Sequence, residues 1–184
     1  MESKATIKRQ HILKSAKEFI LKNGFNELTL DSVATQAGIS KGGLLYHFPN
    51  KEALLIGLAQ YIFEEFITLI EDQAKKDPLE KGKWCRALIE VTKKDLEHNT
   101  ELYVGIIAAS MLSPDLLKSM SQIYQFMQNK VDQDGINPVT ATIIRLAIDG
   151  LYYSEFFNIA PLDDKLREKV FQQLINMTKK EDSF

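Results

Sequence analysis

Apolar residues recur at intervals of three and four along most of this 184-residue chain, the spacing that places them on one face of an α-helix. In residues 6–23, for example, Ile12, Ala16 and Ile20 fall on one such face, and Gly24 suits the end of the helix. Alternating patterns typical of strands are scarce. The sequence therefore predicts an all-α protein of about nine helices.

Capping residues predict where the later helices begin. Residues that favour a helix N-terminus precede three apolar patterns, at Thr29, Ser40 and Asn50. A cap-like residue followed by proline, which is favoured in the first helical turn, occurs three more times, at Asp77-Pro78, Ser113-Pro114 and Asn137-Pro138. After a long fourth helix over residues 51–76, the predicted helices cover residues 79–99, 101–111, 114–132, 138–158 and 163–178.

The stretch of residues 29–48 is the most informative part of the chain. Leu30, Val33 and Ala37 recur at helical spacing, Gly38 interrupts the pattern, and Ser40 restarts it. A short turn between two short amphipathic helices is the layout of a helix-turn-helix, whose second helix enters the major groove of DNA. The sequence therefore predicts a DNA-binding regulator.

Small residues open the predicted reading helix. Gly42 and Gly43 follow Ser40, although glycine costs about 1 kcal/mol relative to alanine inside a helix. Glycine lets the backbone approach a phosphate or a base edge closely, and Lys41 beside it can reach a phosphate or a guanine. The alternative is that glycine is merely tolerated in a first turn next to its cap.

Polar groups suited to phosphate contacts follow within a few residues. Tyr46 and His47 end the reading helix, where a hydroxyl and an imidazole can donate to phosphate oxygens. Lys51 opens the fourth helix, so its ammonium and the helix N-terminus can share one phosphate, and Thr29 has the same position on the second helix. A single histidine at a helix end is more often an ordinary surface residue, but its neighbours favour the DNA-contact interpretation.

These residues resemble the DNA-binding domain of the tetracycline-repressor (TetR) family. The resemblance covers about residues 6–60, whereas the rest of the chain matches only in length, helical content and two final amphipathic helices. The matching positions are Gly24-Phe25, Thr29-Leu30, Val33-Ala34, Ala37-Gly38-Ile39-Ser40-Lys41-Gly42, Leu44, Tyr46-His47-Phe48 and Asn50-Lys51-Glu52-Ala53-Leu54.

The resemblance implies a homodimeric, usually repressing regulator that a small-molecule effector releases from its DNA operator. It implies a DNA-binding domain over residues 1–50 and a ligand-binding and dimerisation domain over residues 51–184, joined by the long fourth helix. Gly43 and Leu45 depart from the commoner polar or aromatic choices, so no operator sequence is predicted. The positions that commonly touch DNA in the family are Thr29, Ser40, Lys41, Gly42, Tyr46, His47 and Lys51.

The last two predicted helices are candidates for pairing two subunits. The first carries an apolar stripe wide enough to bury more than one face, the second carries an apolar seam, and two such helices from each subunit can form a four-helix interface. A monomeric bundle core would produce the same pattern, so both readings stay open. The predicted interface residues are Ile143, Leu146, Gly150, Tyr153, Leu166, Val170 and Leu174.

Large and adaptable side chains in the central helices are candidates for an effector pocket. Aromatic residues and methionines line apolar ligand cavities, although at helical spacing they more often belong to an ordinary core. Because few charged residues occupy plainly inward positions, we expect a mostly apolar or aromatic effector. The candidates are Trp84, Met111, Met120, Tyr124, Phe126, Met127, Tyr152 and Phe156.

Charge and composition agree with this division of labour. The net charge of −2 hides eight basic and five acidic residues in residues 1–60, a net +3, against 15 basic and 20 acidic residues in the remainder, a net −5. A basic end on an acidic body is typical of a phosphate-contacting module joined to a non-contacting one. Cys85 is the only cysteine. No unbroken apolar run approaches the roughly 18 residues of a membrane span and no signal segment opens the chain, so we expect a cytoplasmic protein with no membrane partner.

Two other functions compete with this interpretation. An all-helical carboxylate-metal enzyme needs paired Glu-x-x-His motifs, whereas the chain offers only Asp95-x-x-His98, and there is no nucleotide loop, zinc spacing or nucleophile elbow. We therefore expect no enzymatic activity, no metal and no cofactor; metal in the purified protein would contradict this. A helix-turn-helix regulator controlled by a protein partner, or one that activates transcription, remains the alternative.

Overall fold

A computed structural model describes residues 3–97, 102 and 113–179, and within this part of the chain the structure is helical and has no strand. The predicted helix over residues 101–111 lies outside the described residues, apart from Leu102. The described helices are α1 (Lys4–Asn23), α2 (Leu30–Gln36), α3 (Lys41–His47), α4 (Lys51–Lys76), α5 (Lys83–Leu96), α6 (Pro114–Asp132), α7 (Pro138–Phe156) and α8 (Asp164–Met177), with a 3₁₀ turn at Phe25–Glu27.

Most helices begin where their caps predicted. The Thr29 hydroxyl accepts a hydrogen bond from the Ser32 amide at 3.0 Å, and the Ser40 hydroxyl accepts one from the Gly43 amide at 3.1 Å. The Asn50 side chain accepts from the Ala53 amide at 2.8 Å and so starts α4. Each cap satisfies a backbone N–H that has no partner inside its helix.

The prediction that a helix starts at residue 79 is wrong, because α5 begins four residues later, at Lys83. The Asp77 carboxylate accepts from the Leu79 amide in a tight turn instead of capping a helix. The cap of α5 comes from a distant loop, where the Asp134 carboxylate accepts from the amides of Trp84 at 2.9 Å and Cys85 at 2.8 Å. Burial raises the pKa of Asp134, and these hydrogen bonds oppose that rise.

The internal contacts divide the chain into two units. The first comprises the described parts of residues 1–64 and 101–120, and the second those of residues 65–100 and 121–184. The helix α4 therefore contributes its N-terminal half to the first unit and its C-terminal half to the second. The domain boundary at residue 50 stays a prediction.

The core of the first unit holds the short helices in place. In α1, Ile12 and Ile20 are fully buried and pack in a core with Val33 of α2 and Leu44 of α3. The residue Gly57 of α4 makes room for this core: a Cβ atom there would lie 2.7 Å from a ring carbon of Phe48 and 3.0 Å from a guanidinium nitrogen of Arg9. Close packing of Phe48 against α4 therefore requires glycine at this position.

The helix α5 contacts both α7 and α8 in the second unit. Its residues Ile89 and Thr92 are fully buried, and Ile144 of α7 and Phe171 of α8 lie in the same core. Because α5 touches both of the last two helices, it forms the centre of this unit.

A buried arginine joins three parts of the second unit. The Arg86 guanidinium, only 8% exposed, donates to both carboxylate oxygens of Asp77, at 2.7 and 3.0 Å. It also donates to the carbonyl oxygens of Leu79 and Lys81 and to the hydroxyl of Thr178. The arginine lowers the pKa of Asp77. These bonds tie the end of α4 to the start of α5 and the end of α8.

The helix α4 is more apolar than the sequence analysis supposed. An 18-residue window of it has a mean hydropathy of 1.6, enough by length and composition to cross a membrane. The expectation counted unbroken apolar runs, and Glu64 and Glu65 interrupt this one. Core helices of folded proteins pass the same test, and 39% of the window is buried inside the fold, so this one helix gives weak support for a membrane span.

Candidate nucleic-acid interface

The turn between α2 and α3 is built from local geometry and one contact from α1. Gly38 has a φ of +64°, a left-handed conformation that glycine adopts without steric cost. The His11 ring donates through Nε2 to the carbonyl oxygen of Ala37 at 3.0 Å, which fixes the turn to α1. The exposed His11 therefore has a structural function, which its position in the sequence did not reveal.

The helix α3 buries one face and exposes the other. Leu44 is fully buried and Phe48 is 2% exposed, while the Arg9 guanidinium lies 5.0 Å from the centre of the Phe48 ring. Tyr46, between these two anchors in sequence, is 81% exposed. A large aromatic side chain this exposed, on a helix that is otherwise well anchored, is available for contact with another molecule.

The predicted phosphate-contacting groups lie around the end of α3. The rings of Tyr46 and His47 meet edge to face, with centroids 5.1 Å apart, so each limits the orientation of the other. Lys51 begins α4 and is exposed, with its ammonium 6.0 Å from the centre of the Phe25 ring. The exposed Thr29 begins α2. These positions can accommodate phosphate contacts from α2, α3 and α4.

The protein's own packing does not explain both glycines of α3. A Cβ atom on Gly42 would meet no other atom within 4 Å, and one on Gly43 would lie 3.3 Å from the Ser40 hydroxyl. Gly43 is therefore close to the cap, whereas Gly42 faces open space. The open space at position 42 leaves room for another molecule to approach the helix backbone closely.

Lys41 has a partner that the sequence analysis missed. Its ammonium forms an ion pair with the Asp31 carboxylate at 2.9 Å, and the two side chains are 56% and 68% exposed. Exposed pairs of this kind contribute about 0–1 kcal/mol, so a phosphate or a guanine can replace Asp31 at small cost. The ten-residue separation of the two residues across a turn is why no helical spacing rule indicated the pair.

The predicted dimer residues form a stripe on α7 in the second unit. Ile143, Leu146 and Tyr153 are 48, 55 and 50% exposed, and Gly150 is exposed between the last two. Their spacing of three, four and three residues is that of a helix-pairing seam. We call these four residues, together with the 67%-exposed Val139, the α7 stripe.

The predicted interface residues of α8 differ among themselves. Leu166 is 46% exposed and Val170 is half-buried, so both retain apolar surface for a partner. Leu174 is only 5% exposed, because it packs inside its own chain. A substitution at Leu174 would therefore disturb the subunit core before it disturbed any interface.

The structure does not bring all the predicted pocket residues together. Met111 lies outside the described residues, and Met120 belongs to the first unit, whereas the others belong to the second.

The surroundings of the candidates in the second unit differ. Tyr124 is 41% exposed. Trp84 lines a polar surface cavity of about 430 Å³ with lysines that include Lys130, whose ammonium lies 4.6 Å from the indole centre. Trp84 therefore has polar surroundings, not the apolar ones expected. Phe126 is half-buried, with the Lys130 ammonium 5.2 Å from its ring centre, and Met127 is buried.

Tyr152 and Phe156, by contrast, belong to a polar and aromatic cluster inside the second unit. The Tyr152 hydroxyl donates to the Asp95 carboxylate at 2.9 Å, and Asp95 is 9% exposed. Tyr152 contacts Phe156 at 5.0 Å between ring centres and Phe66 at 6.3 Å. The expectation of few inward charges therefore missed Asp95, because its neighbours in sequence include several exposed charged residues.

One turn before Asp95 on the same helix lies a hydroxyl without a partner. Thr92 is fully buried, and its Oγ1 makes no hydrogen bond among the described residues. Leaving such a group unsatisfied costs about 1–3 kcal/mol. A buried orphan of this kind needs an explanation from function or from a bound molecule.

Among the described residues, no group of three His, Cys, Asp or Glu side chains is placed to hold a metal ion. The chemistry visible in this part of the structure is that of binding: a reading helix in the first unit, and an apolar stripe and a polar cluster in the second.

Two family models match the chain. Residues 12–58 match "Bacterial regulatory proteins, tetR family", and residues 82–179 match "Tetracyclin repressor-like, C-terminal domain". The chain belongs to the TetR family. Members of this family are DNA-binding transcriptional regulators that dimerise and bind small-molecule ligands.

Individual relatives agree with this assignment. The HTH-type transcriptional regulator UidR of Escherichia coli is 26% identical over 94% of this chain and 91% of its own length. The uncharacterized HTH-type transcriptional regulator YerO of Bacillus subtilis is 35% identical, but over 40% of this chain and 27% of its own length. The chain spans only 27, 31 and 39% of the length of three curated relatives from Bacillus subtilis.

A TetR-family regulator from Mesorhizobium loti has the same fold in its crystal structure. It superimposes with a TM-score of 0.73 and 16% identity, covering 97% of this chain and 96% of that chain. An identity this low supports the fold alone.

Proposed function

We propose that this TetR-family protein is a homodimeric repressor that a small effector releases from a palindromic operator. The α3 helices of two subunits would enter successive major grooves on one face of the DNA. The observation that carries the proposal is the 81% exposure of Tyr46 on a helix whose Leu44 and Phe48 are buried. Repression predicts that deleting the gene raises transcription of its target; a fall would indicate an activator.

The proposed DNA contacts are of two kinds: some position the protein on the phosphate backbone, and others bring the protein backbone close to the groove. Tyr46, His47 and Lys51 would donate to phosphate oxygens, and Thr29 would do so at the start of α2. Ser40 would set the start of α3, and the adjacent turn would bring the backbone near the groove. The residues that we assign to this close approach are Lys41, Gly42 and Gly43.

Binding to DNA from the upstream region of the gene tests the assignment. We expect Tyr46→Ala and Lys51→Ala each to weaken binding about tenfold or more, because a charge-assisted hydrogen bond contributes roughly 1.5–3 kcal/mol. The slope of log K against log salt should fall by about 0.9 in Lys51→Ala, which loses a cationic phosphate contact, and should stay unchanged in Tyr46→Ala, whose hydroxyl is neutral. The control is Lys165→Ala, which removes an exposed lysine from α8. Unchanged affinity and slope in both test variants would refute the phosphate contacts.

The second subunit would pack on the α7 stripe and on the exposed part of α8. The exposed apolar residues Val139, Ile143, Leu146 and Leu166 support this arrangement, since a spaced apolar stripe on a helix is suited to pairing with another helix. A two-fold axis through this surface would give the protein the symmetry of a palindromic site.

Effector binding would act through α4, which is one continuous helix from Lys51 to Lys76. Its first residue belongs to the proposed DNA contacts, and its Phe66 contacts Tyr152 in the second unit. An effector shifts the equilibrium between the DNA-binding and released states only as far as its affinity differs between them. A helix shared by the two units is a direct means of producing that difference.

A further inference from the structure

We propose that the effector is an organic cation with an apolar or aromatic body, and that its charged group binds at the cluster of Thr92, Asp95 and Tyr152. We call these three residues together with Phe66 and Phe156 the acidic-aromatic cluster. The inference rests on the proposed function only for its regulatory consequence, since binding of the cation can be measured without DNA.

The cluster joins three helices within the second unit. Thr92 and Asp95 lie one turn apart on α5, so their side chains project in neighbouring directions. Tyr152 comes from α7 and donates its hydroxyl hydrogen to Asp95 at 2.9 Å. The tyrosine ring also contacts Phe66 of α4 and Phe156 of α7, at centre distances of 6.3 and 5.0 Å.

The chemistry of these groups favours a cation. A carboxylate that is 91% buried attracts a positive group more strongly than an exposed one does, because little water screens it. Aromatic rings attract organic cations in addition, and the rings of Phe66 and Phe156 both contact that of Tyr152, whose hydroxyl is bonded to Asp95. An anionic ligand would meet the Asp95 charge at close range and would be disfavoured by the same low screening.

Thr92 is an independent observation that points to a ligand. Its hydroxyl is fully buried and has no hydrogen-bond partner among the described residues. An N–H group of a ligand bound to Asp95 would lie within reach of this oxygen, because the two side chains are one turn apart. Binding would therefore satisfy a group that has no partner among the described residues.

A ligand can reach the acidic-aromatic cluster from the surface, and the cluster includes a residue of α4, the helix that begins at the proposed DNA contact Lys51. Phe66 and Tyr152 are half-buried, so movement of their rings can admit a ligand from the surface. Because Phe66 belongs to α4, displacement of its ring changes the packing of the helix that begins at Lys51. A cation at Asp95 would thus bias the helix that leads to the DNA contacts.

The test uses two probes without DNA: ethidium, a fluorescent planar cation, and benzyltrimethylammonium, a small one. Wild-type protein should bind both, with competition between them. Asp95→Asn keeps the size of the side chain and should weaken binding of each at least tenfold. The matched control is Glu97→Gln, which removes an exposed negative charge two residues further along the chain, on a different face of the helix end, and should change affinity less than twofold. The anionic dye anilinonaphthalene sulfonate should not lose affinity in Asp95→Asn.

Two further variants apply if Asp95→Asn does not fold, as judged by circular dichroism. Thr92→Val removes only the hydroxyl and should weaken ethidium binding about threefold to tenfold without lowering the thermal stability. Tyr152→Phe keeps the ring but removes its hydrogen bond to Asp95, so it should raise affinity for cations and leave affinity for the anionic dye unchanged. A wild-type protein that binds neither cation overturns the inference, as does equal weakening in Glu97→Gln and Asp95→Asn.

The two proposals fail in distinguishable ways. Absence of operator binding by wild-type protein would refute the repressor and leave the cation site standing on its own binding data. Operator binding without any cation binding would refute the cation site alone. Cation binding that leaves operator affinity unchanged, measured with benzyltrimethylammonium because ethidium itself binds DNA, would refute the regulatory role of the site.

Discussion

Gly42 shows how a single residue can be explained by something outside the chain. A Cβ atom there meets no other atom within 4 Å, so neither packing nor a strained backbone requires glycine. Glycine nevertheless weakens a helix relative to alanine. The proposed close approach of this backbone to DNA would supply a reason, and that reason can be separated from stability by experiment.

We expect Gly42→Ala to raise the free energy of unfolding by up to about 1 kcal/mol, because alanine is the better helix former. The same variant should bind operator DNA more weakly, because the added methyl group holds the α3 backbone away from the groove. Thermal unfolding and DNA titration measure the two effects separately. Equal or tighter DNA binding would show that no close approach occurs at this position.

Asp77 provides a second prediction at the residue scale, and its lowered pKa determines how stability changes with pH. The Arg86 guanidinium lowers the pKa of Asp77, so the ion pair stabilises the fold above the carboxyl's unfolded pKa of about 3.9. That contribution is lost as the pH falls through the lower, folded pKa. At pH 7, Asp77→Asn should cost about 3 kcal/mol, because it leaves a buried guanidinium without its charge partner.

Denaturant unfolding at several pH values tests this dependence. The difference between wild type and Asp77→Asn should be largest near pH 7 and should shrink once the pH falls below about 4. Asp164→Asn is the matched control, because Asp164 is 94% exposed in its pair with Arg167 and should contribute less than about 1 kcal/mol. A pH-independent difference for Asp77→Asn would mean that the charge of Asp77 is not what stabilises the fold.

At the scale of a helix, the sequence predicted beginnings that depend on nearby residues and missed one that depends on a distant residue. Thr29, Ser40 and Asn50 cap helices through atoms three residues away, so a local pattern was sufficient. The start of α5 is capped by Asp134, about 50 residues further along the chain. No local pattern contains that contact, and Asp77-Pro78 therefore suggested an earlier start.

The same distinction applies to the candidate sites. Exposure of Tyr46 follows from its place between the buried Leu44 and Phe48, which helical spacing predicts. The acidic-aromatic cluster instead joins residues from α4, α5 and α7, and its Tyr152–Asp95 bond spans 57 residues. Sequence spacing alone indicated large residues in these helices but not which of them meet.

Packing of α3 against α4 gives a prediction at this scale. Gly57→Ala would place a methyl group 2.7 Å from the Phe48 ring and 3.0 Å from Arg9, so we expect a loss of about 1–3 kcal/mol in stability. Gly42→Ala is the control, because its added methyl group has open space. Thermal unfolding measures both. If Gly57→Ala is as stable as wild type, the Phe48 ring can move aside at no cost and does not fix α3.

At the scale of the whole molecule, the α7 stripe determines whether one chain is the functional unit. Val139, Ile143, Leu146 and Tyr153 expose apolar surface at helix-pairing intervals, whereas Leu174, which the sequence grouped with them, is buried in its own chain. Sequence periodicity cannot separate a face covered by the same chain from a face left for a second copy. Exposure in the folded chain separates them.

Leu146→Glu tests this surface. Leu146 is 55% exposed, so the substitution should leave the subunit folded, while burying the new carboxylate against a partner should raise the dimer dissociation constant at least about a hundredfold. Leu69→Glu is the matched control, since Leu69 is 56% exposed and lies on α4, outside the stripe. Sedimentation velocity should show monomers for Leu146→Glu and dimers for Leu69→Glu.

The monomeric variant should also lose operator affinity although its α3 is intact, because both half-sites of a palindrome need a reading helix. A monomer that binds the operator as tightly as the dimer would show that DNA recognition does not depend on pairing.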